Sequence, residues 1–214
     1  MVRNACLSLA LCFGLPIGGA GAHPHVFVDV GLRFTGDGAG NLTGIEVTWR
    51  YDDFFSLLIL SDMGLDTDGD GVLTDAERAE LKGFDLEEWP EGFEGDLYIH
   101  RGGEKIALDH PVPTGVALED GRIVATHRRN FGPVRAKGLR VEPYDPTYYV
   151  DYTLTGPVDL PEGCDHDVRA PDLDESQRAF REMLSELTAE EQFDGIEVGN
   201  LFSDVMVVTC TANF

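Results

Sequence analysis

Between His25 and Asp53 apolar and polar residues alternate, first in HVFVDVGLRF and then in LTGIEVTWRY, with GDGAGN between the two runs. A two-residue period sends side chains to opposite faces of an extended chain, so this segment predicts a β-hairpin with a Gly-rich turn. From 52 to 64, DDFFSLLILSDMG, the period gives way to helical clustering behind an Asp-Asp pair suited to a helix cap. An acidic loop follows, and DAERAELKGF predicts a second helix. Strands resume as GDLYIH and KIALDH around Arg101-Gly102-Gly103, TGVALE and RIVATHRR around Asp120-Gly121, then GLRVEP and TYYVDYTLTG. Gly-Gly and Asp-Gly are hairpin punctuation because glycine accepts the positive φ of tight turns. CDHDVRAPDLDESQRAFREMLSEL leads into a helix from about Asp174 to Leu187, and DVMVVTC predicts a closing strand. The pattern therefore predicts a mainly β (α+β) chain. Its form is an antiparallel β-sandwich or curved sheet carrying an inserted helix-loop-helix at about 52–84 and one late helix.

The first 22 residues, MVRNACLSLALCFGLPIGGAGA, break this picture. One arginine, an apolar run from about Ala5 to Ile17 and a small-x-small ending are the marks of a secretory signal cleaved after Ala22. The working protein is then expected to be a single β-rich domain over 23–214 in the periplasm. The leader is too short to span a bilayer, and no later stretch approaches the ~18 apolar residues a span requires, so no membrane insertion is expected after cleavage. The chain holds 39 acidic against 16 basic side chains, a formal net charge of −23. Such acidity excludes nucleic acid and anionic lipid surfaces as natural partners, and suits cation binding or salt-tolerant solubility.

Two of the four cysteines leave with the leader, and Cys164 and Cys210 remain. In an oxidising compartment two thiols most simply form one disulfide. Thiolate metal ligation by the CDHD stretch at 164–167 is the alternative.

Asp66 to Glu77 reads DTDGDGVLTDAE. Against a twelve-residue EF-hand loop, Asp66, Asp68 and Asp70 take positions 1, 3 and 5, and Gly71 takes the sharp turn. Val72 offers its carbonyl, Thr74 stands at position 9, and Glu77 supplies the bidentate carboxylate at 12. Alternate carboxylates wrap a hard cation in oxygen, so the loop predicts Ca²⁺, with Leu73 facing inward. Ser61, Asp62 and Gly64 depart from an incoming EF-hand helix, and the loop is single. It is therefore expected to stabilise the fold rather than act as a sensor, with an affinity on the order of 10⁻⁴ to 10⁻³ M.

Cleavage after Ala22 would leave His23 with an α-amine and an imidazole on one residue, followed by Pro24 and His25. An α-amine titrating near about 7.7–8.0 is partly unprotonated at neutral pH, so amine and ring can chelate one metal and His25 can add a third nitrogen. Imidazole favours Zn²⁺, Ni²⁺, Co²⁺ or Cu. Pro24 has no amide proton, which excludes the square-planar amino-terminal copper site. A histidine brace or a mixed site remains. Asp29 shares the strand face of His25 and Phe27 and is a candidate ligand or orienting acceptor, with Asp52, Asp53, Asp151 and His166 as further candidates. His100, His110 and His127 lack ligand spacing and read as surface or partly packed residues. There is no Gly-x-Ser-x-Gly, phosphate-cradling loop or Cys-x-x-Cys, so hydrolase and redox chemistry have little support.

AHPHVFVD at 22–29, TWRYDDFFS at 48–56, YDPTYYVDY at 144–152 and VGNLFSDVMVVTC at 198–210 resemble an uncharacterised secreted family, a domain of unknown function. Its members are often labelled the periplasmic component of an ABC-type transport system, and several carry an EF-hand-like loop after the first helix. The resemblance implies divalent-metal handling beside an inner-membrane transporter, and it adds Asp145, Tyr148 and Asp151 to His23, His25 and Asp29 as site residues. Tyr148 and Tyr149 can equally be sheet-packing aromatics. The first functional expectation is an accessory protein or metallochaperone for a Zn, Ni, Co or Cu transport system. The others are a copper enzyme using the His23 brace and a Ca²⁺-stabilised interaction module without transition metal.

Overall fold

The computed structural model describes residues 24–90, 92–187 and 196–211; the predicted leader and His23 lie outside these. Strands β1 (Val26–Gly36) and β2 (Asn41–Tyr51) form the expected hairpin. Val26, Val28, Val30, Leu32 and Phe34 of the first strand are buried, as are Leu42, Ile45, Val47, Trp49 and Tyr51 of the second. The turn is organised by Asp37, whose carboxylate accepts from Ala39 N, Asn41 N and Asn41 Nδ2.

Helices α1 (Asp53–Met63) and α2 (Asp75–Leu81) follow, with a 3-10 turn at Phe84–Leu86. Then come β3 (Leu97–Arg101), β4 (Glu104–Ile106), β5 (Val112–Glu119), β6 (Arg122–Arg135), β7 (Leu139–Pro143) and β8 (Val150–Thr153). The chain continues through β9 (Val158–Asp159), β10 (Cys164–Arg169), α3 (Leu173–Glu186) and β11 (Val205–Cys210). One sheet runs β5-β6-β2-β1-β8 with β9 also on β1, and the other runs β10-β11-β7-β3-β4. All pairings are antiparallel except those of β8 and β9 with β1. A single cluster of buried residues draws Val30, Val47 and Ile123 from the first sheet and Ile99, Val141 and Met206 from the second. The mainly β, α+β sandwich expectation holds.

The helical insertion is anchored at both ends. Asp52 caps α1, its Oδ1 accepting from Phe55 N at 2.8 Å and its Oδ2 from Phe27 N at 2.8 Å. Gly64 ends the helix in the left-handed region at φ 67, so the residue that weakens an EF-hand helix is here its C-terminal stop. Leu60, Leu65, Leu73 and Leu81 enter the core. Tyr51 Oη donates to Asp85 Oδ2 at 2.9 Å and ties the 3-10 turn to β2.

Several boundaries differ from the sequence pattern. The strand expected to start at Thr147 begins at Val150, because Tyr148 takes a left-handed φ of 59. The KIALDH strand ends at Ile106. β6 runs on through Gly132 and Pro133 to Arg135; its partner β5 reaches only Arg128, so Pro133 has no ladder hydrogen bond to lose on that side. The segment from Cys164 to Arg169, where no strand was expected, is a strand paired residue for residue with β11.

Candidate functional site

In the acidic loop, ligand oxygens of Asp66, Asp68 and Asp70 lie within 4.8 Å of one another. Gly69 and Gly71 adopt left-handed φ values of 68 and 75 and allow the backbone to curl around this point. Gly71 N donates to Asp66 Oδ1 at 3.2 Å and Val72 N to Asp70 Oδ1 at 2.8 Å. Glu77 closes the loop: its Oε1 accepts from Asp66 N at 2.9 Å, and its Oε2 from Thr74 N at 2.8 Å and Thr74 Oγ1 at 2.7 Å. Thr74 and Glu77 thereby form a capping box at the start of α2. The Thr74 hydroxyl, then the Thr74 and Asp66 amides, hold the Glu77 carboxyl below its ordinary range. Leu73 is buried, as position 8 of such a loop requires, while Val72 is exposed and leaves its carbonyl as the useful group. Three converging carboxylates with a fourth at the loop's far end are the oxygen-rich donor set a hard divalent cation takes.

The histidine end is built differently. Phe27 and Asp29 share the outer face of β1, as strand alternation requires, with His25 just ahead of the strand, and Phe27 is half-exposed. The His25 ring packs at 4.9 Å from that of Tyr149, and His25 N donates to Tyr149 O at 2.8 Å. Asp29 is engaged, its Oδ1 accepting from Thr155 Oγ1 at 2.7 Å and its Oδ2 paired with Arg122 at 2.9 Å. Asp52 serves as the helix cap, and Asp53 lies 3.8 Å from the same arginine. Asp151 is half-buried, and burial with the nearby Asp204 charge raises its carboxyl. His166 sits on β10 beside Asp165, in the other sheet. Among the described residues, the acidic loop is the one place where three His, Cys, Asp or Glu ligand atoms converge.

The four sequence segments singled out for their resemblance nevertheless meet. Phe27 and Asp52 exchange backbone and carboxylate hydrogen bonds, Asp52 N donating to Phe27 O at 2.9 Å. His25 leans on Tyr149. Tyr148, held in its left-handed conformation, stacks on Phe202 at 4.5 Å and 15°. Val198 N and Gly199 N both donate to Pro146 O, at 2.7 and 2.9 Å, and Leu154 N donates to the buried Asp204 Oδ2 at 2.8 Å. Asp145 organises the loop between β7 and β8, accepting from Thr147 N, Tyr149 N and Val150 N. Residues from Phe27 to Asp204 therefore come together at one end of the sandwich. The sequence family described as "Protein of unknown function (DUF1007)" matches residues 8–210. The chain belongs to this family. No curated protein matches it.

Within this DUF1007 chain, sequence reasoning left out Arg122, which joins Asp29 to the carbonyls of Tyr51 and Arg50 at 2.5 and 3.1 Å. Its only signal was an arginine directly after an Asp-Gly turn. Asp204 was likewise missed, hidden inside a strand-like run. His127, expected at the surface or partly packed, is 1 % exposed against Trp49, with ring centroids 4.6 Å apart. Cys164 and Cys210 form the disulfide as expected, with Cα atoms 4.1 Å apart on directly paired positions of β10 and β11.

Proposed function

We propose that this DUF1007 protein is a secreted metal-binding accessory protein whose helical insertion is ordered by Ca²⁺ and whose histidine end holds a transition metal for an inner-membrane transport system. The observation that carries the calcium half is the convergence of Asp66, Asp68 and Asp70 within 4.8 Å under the Glu77 latch. In this reading Asp66, Asp68, Asp70, Glu77, Thr74 and the Val72 carbonyl supply the oxygens. Ca²⁺ neutralises carboxylates that repel one another in its absence, and so holds Leu65, Leu73 and Leu81 in the core. For the second half, the amine and ring of His23 with the His25 ring form the metal grip for Zn²⁺, Ni²⁺, Co²⁺ or Cu. Asp29 can join only by leaving Arg122, so it serves better as the anchor of the strand that presents the grip.

Calorimetry on the chain beginning at His23 tests both parts. Millimolar Ca²⁺ is expected to give heat and raise the melting temperature, with EDTA reversing the shift and Asp68→Ala removing it. Absence of both effects rejects the calcium site. Transition-metal affinity is expected to fall in His23→Ala and His25→Ala; equal affinity in all three proteins rejects the amino-terminal site.

A second reading, a Ca²⁺-stabilised interaction module, is favoured by one observation. Phe54, Leu57 and Leu58 of α1 are 74, 65 and 45 % exposed. Retention of no transition metal by the correctly cleaved protein selects it.

A further inference from the structure

On the second sheet, the loop before β3, β3 itself, the loop between β7 and β8 and the segment before β11 line an open cleft of about 550 Å³. Its walls include the rings of Phe93, Tyr98 and Tyr144 and the carboxylates of Glu94 and Glu197, and no Lys, Arg or His lines it among the described residues. Tyr98 and Tyr144 are stacked, with centroids 4.1 Å apart and planes 14° from parallel. Burial raises both phenols, followed by the neighbouring Tyr144 and Asp96 at Tyr98 and by Glu142 at Tyr144, with the Glu94 and Glu197 charges adding smaller contributions at both. The cleft is thus aromatic and negative at once. The protein already places one cation against this aromatic surface: Lys105 Nζ lies 5.8 Å from the Tyr98 ring centroid while its ammonium pairs with Glu94. Lys105 belongs to the neighbouring cavity, and among the described residues the Glu197 side holds no basic residue.

We propose that this cleft binds a small organic cation, an alkylammonium whose methyl or methylene shell lies against the Tyr144 ring while Glu197 faces its charge. A bare metal ion is the poorer fit. Among the described residues, the cleft's carboxylates do not gather three ligand atoms within 4.8 Å. An alkylammonium carries its charge on an apolar surface, which ring quadrupoles and a carboxylate attract together. The cleft's shape is fixed by the clasp beneath it, where Gly199 lies so close to Asp145 O that a Cβ would stand 1.7 Å away.

Choline is the probe, and its neutral tert-butyl isostere is the control of equal shape. Titration of the full mature chain is expected to show saturable choline binding at least about tenfold tighter than the isostere, the factor a desolvated cation–π contact and a carboxylate supply. Glu197→Gln, at an exposed position, is expected to weaken binding about tenfold without altering the melt, and Tyr144→Leu to do the same. Spermidine is expected to compete, and Ca²⁺ at concentrations filling the acidic loop is not. No saturation at millimolar choline, equal binding of the isostere, or full affinity in both variants overturns the proposal. None of these outcomes bears on the calcium or histidine sites.

Discussion

Asp96, just before β3, takes the left-handed region at φ 51, with only 7 % of its surface exposed. Tyr152 Oη donates to its Oδ2 at 3.0 Å, and Oδ1 has no partner among the described residues. Burial, with the Asp145 charge adding, lifts its carboxyl from 3.8 to about 7. A raised carboxyl favours the protonated fold, so its contribution is complete below 3.8 and is lost as pH rises through about 7. His127 works in the opposite sense. Burial, with Arg129 adding, lowers it from 6.5 to about 3, so its contribution is present above 6.5 and is lost as pH falls towards 3. Asp96→Asn keeps the acceptor for Tyr152 and removes the charge. It is expected to match the parent near pH 4 and exceed it at pH 8, by at most about 4 kcal/mol. Urea unfolding at the two pH values decides this, and an unchanged alkaline limb contradicts it. Gly199 sets a steric limit of a different kind. With a Cβ 1.7 Å from Asp145 O, Gly199→Ala is expected to cost about 3 kcal/mol, whereas Gly121→Ala, with open space around its Cβ, should cost less, from its φ of 79 alone.

At the scale of elements, α1 is apolar all round, yet only Ser56 and Leu60 are buried. Ser56 Oγ accepts from Ile123 N at 2.9 Å, which seats the helix on β6 through a polar contact. The two faces should therefore respond differently. Leu60→Ala is expected to destabilise by about 2–4 kcal/mol. Leu57→Ser is expected to stay within about 0.5 kcal/mol while lowering binding of a hydrophobic dye. Equal melting shifts from the two variants would show that the outer face is covered in solution. The β1-β2 hairpin and the Asp52 cap were legible in the sequence, because each rests on spacing within a few residues; the Thr74-Glu77 capping box has the same spacing, but those residues read there as calcium ligands. The burial of His127 was legible in principle, since Ile123, Ala125, His127 and Arg129 stand at period two and all face inward. β10 was not. DHDVR has no apolar alternation, and it becomes a strand only because β11 and a disulfide hold it there. The meeting of Pro146 with Gly199, or of Tyr148 with Phe202, depends on tertiary packing that no local pattern encodes. Nor was the aromatic cleft legible, because Tyr98 on β3 and Tyr144, just beyond β7, are far apart in sequence.

For the molecule as a whole, the question is what keeps so acidic a sandwich closed at its weaker sheet. The first sheet has two eleven-residue strands at its centre, with inner faces of branched and aromatic side chains. The second ends in β10, where Cys164 and His166 are half-buried and Asp165 and Asp167 to Arg169 are exposed. An edge strand with so little to bury contributes few apolar contacts, and a net charge of −23 adds repulsion throughout the chain. The Cys164–Cys210 bond spans 46 positions. Closing a loop of that length removes unfolded-state entropy worth about 4 kcal/mol on the chain-entropy model. The Cys164→Ser, Cys210→Ser double variant is therefore expected to unfold at markedly lower denaturant concentration. Amide exchange should rise first in β10 and the outer edge of β11, while the β1-β2 hairpin keeps its protection until global unfolding. A stability loss below about 1 kcal/mol, or exchange that rises equally in both sheets, would mean that packing rather than the covalent bond holds the edge strand in place.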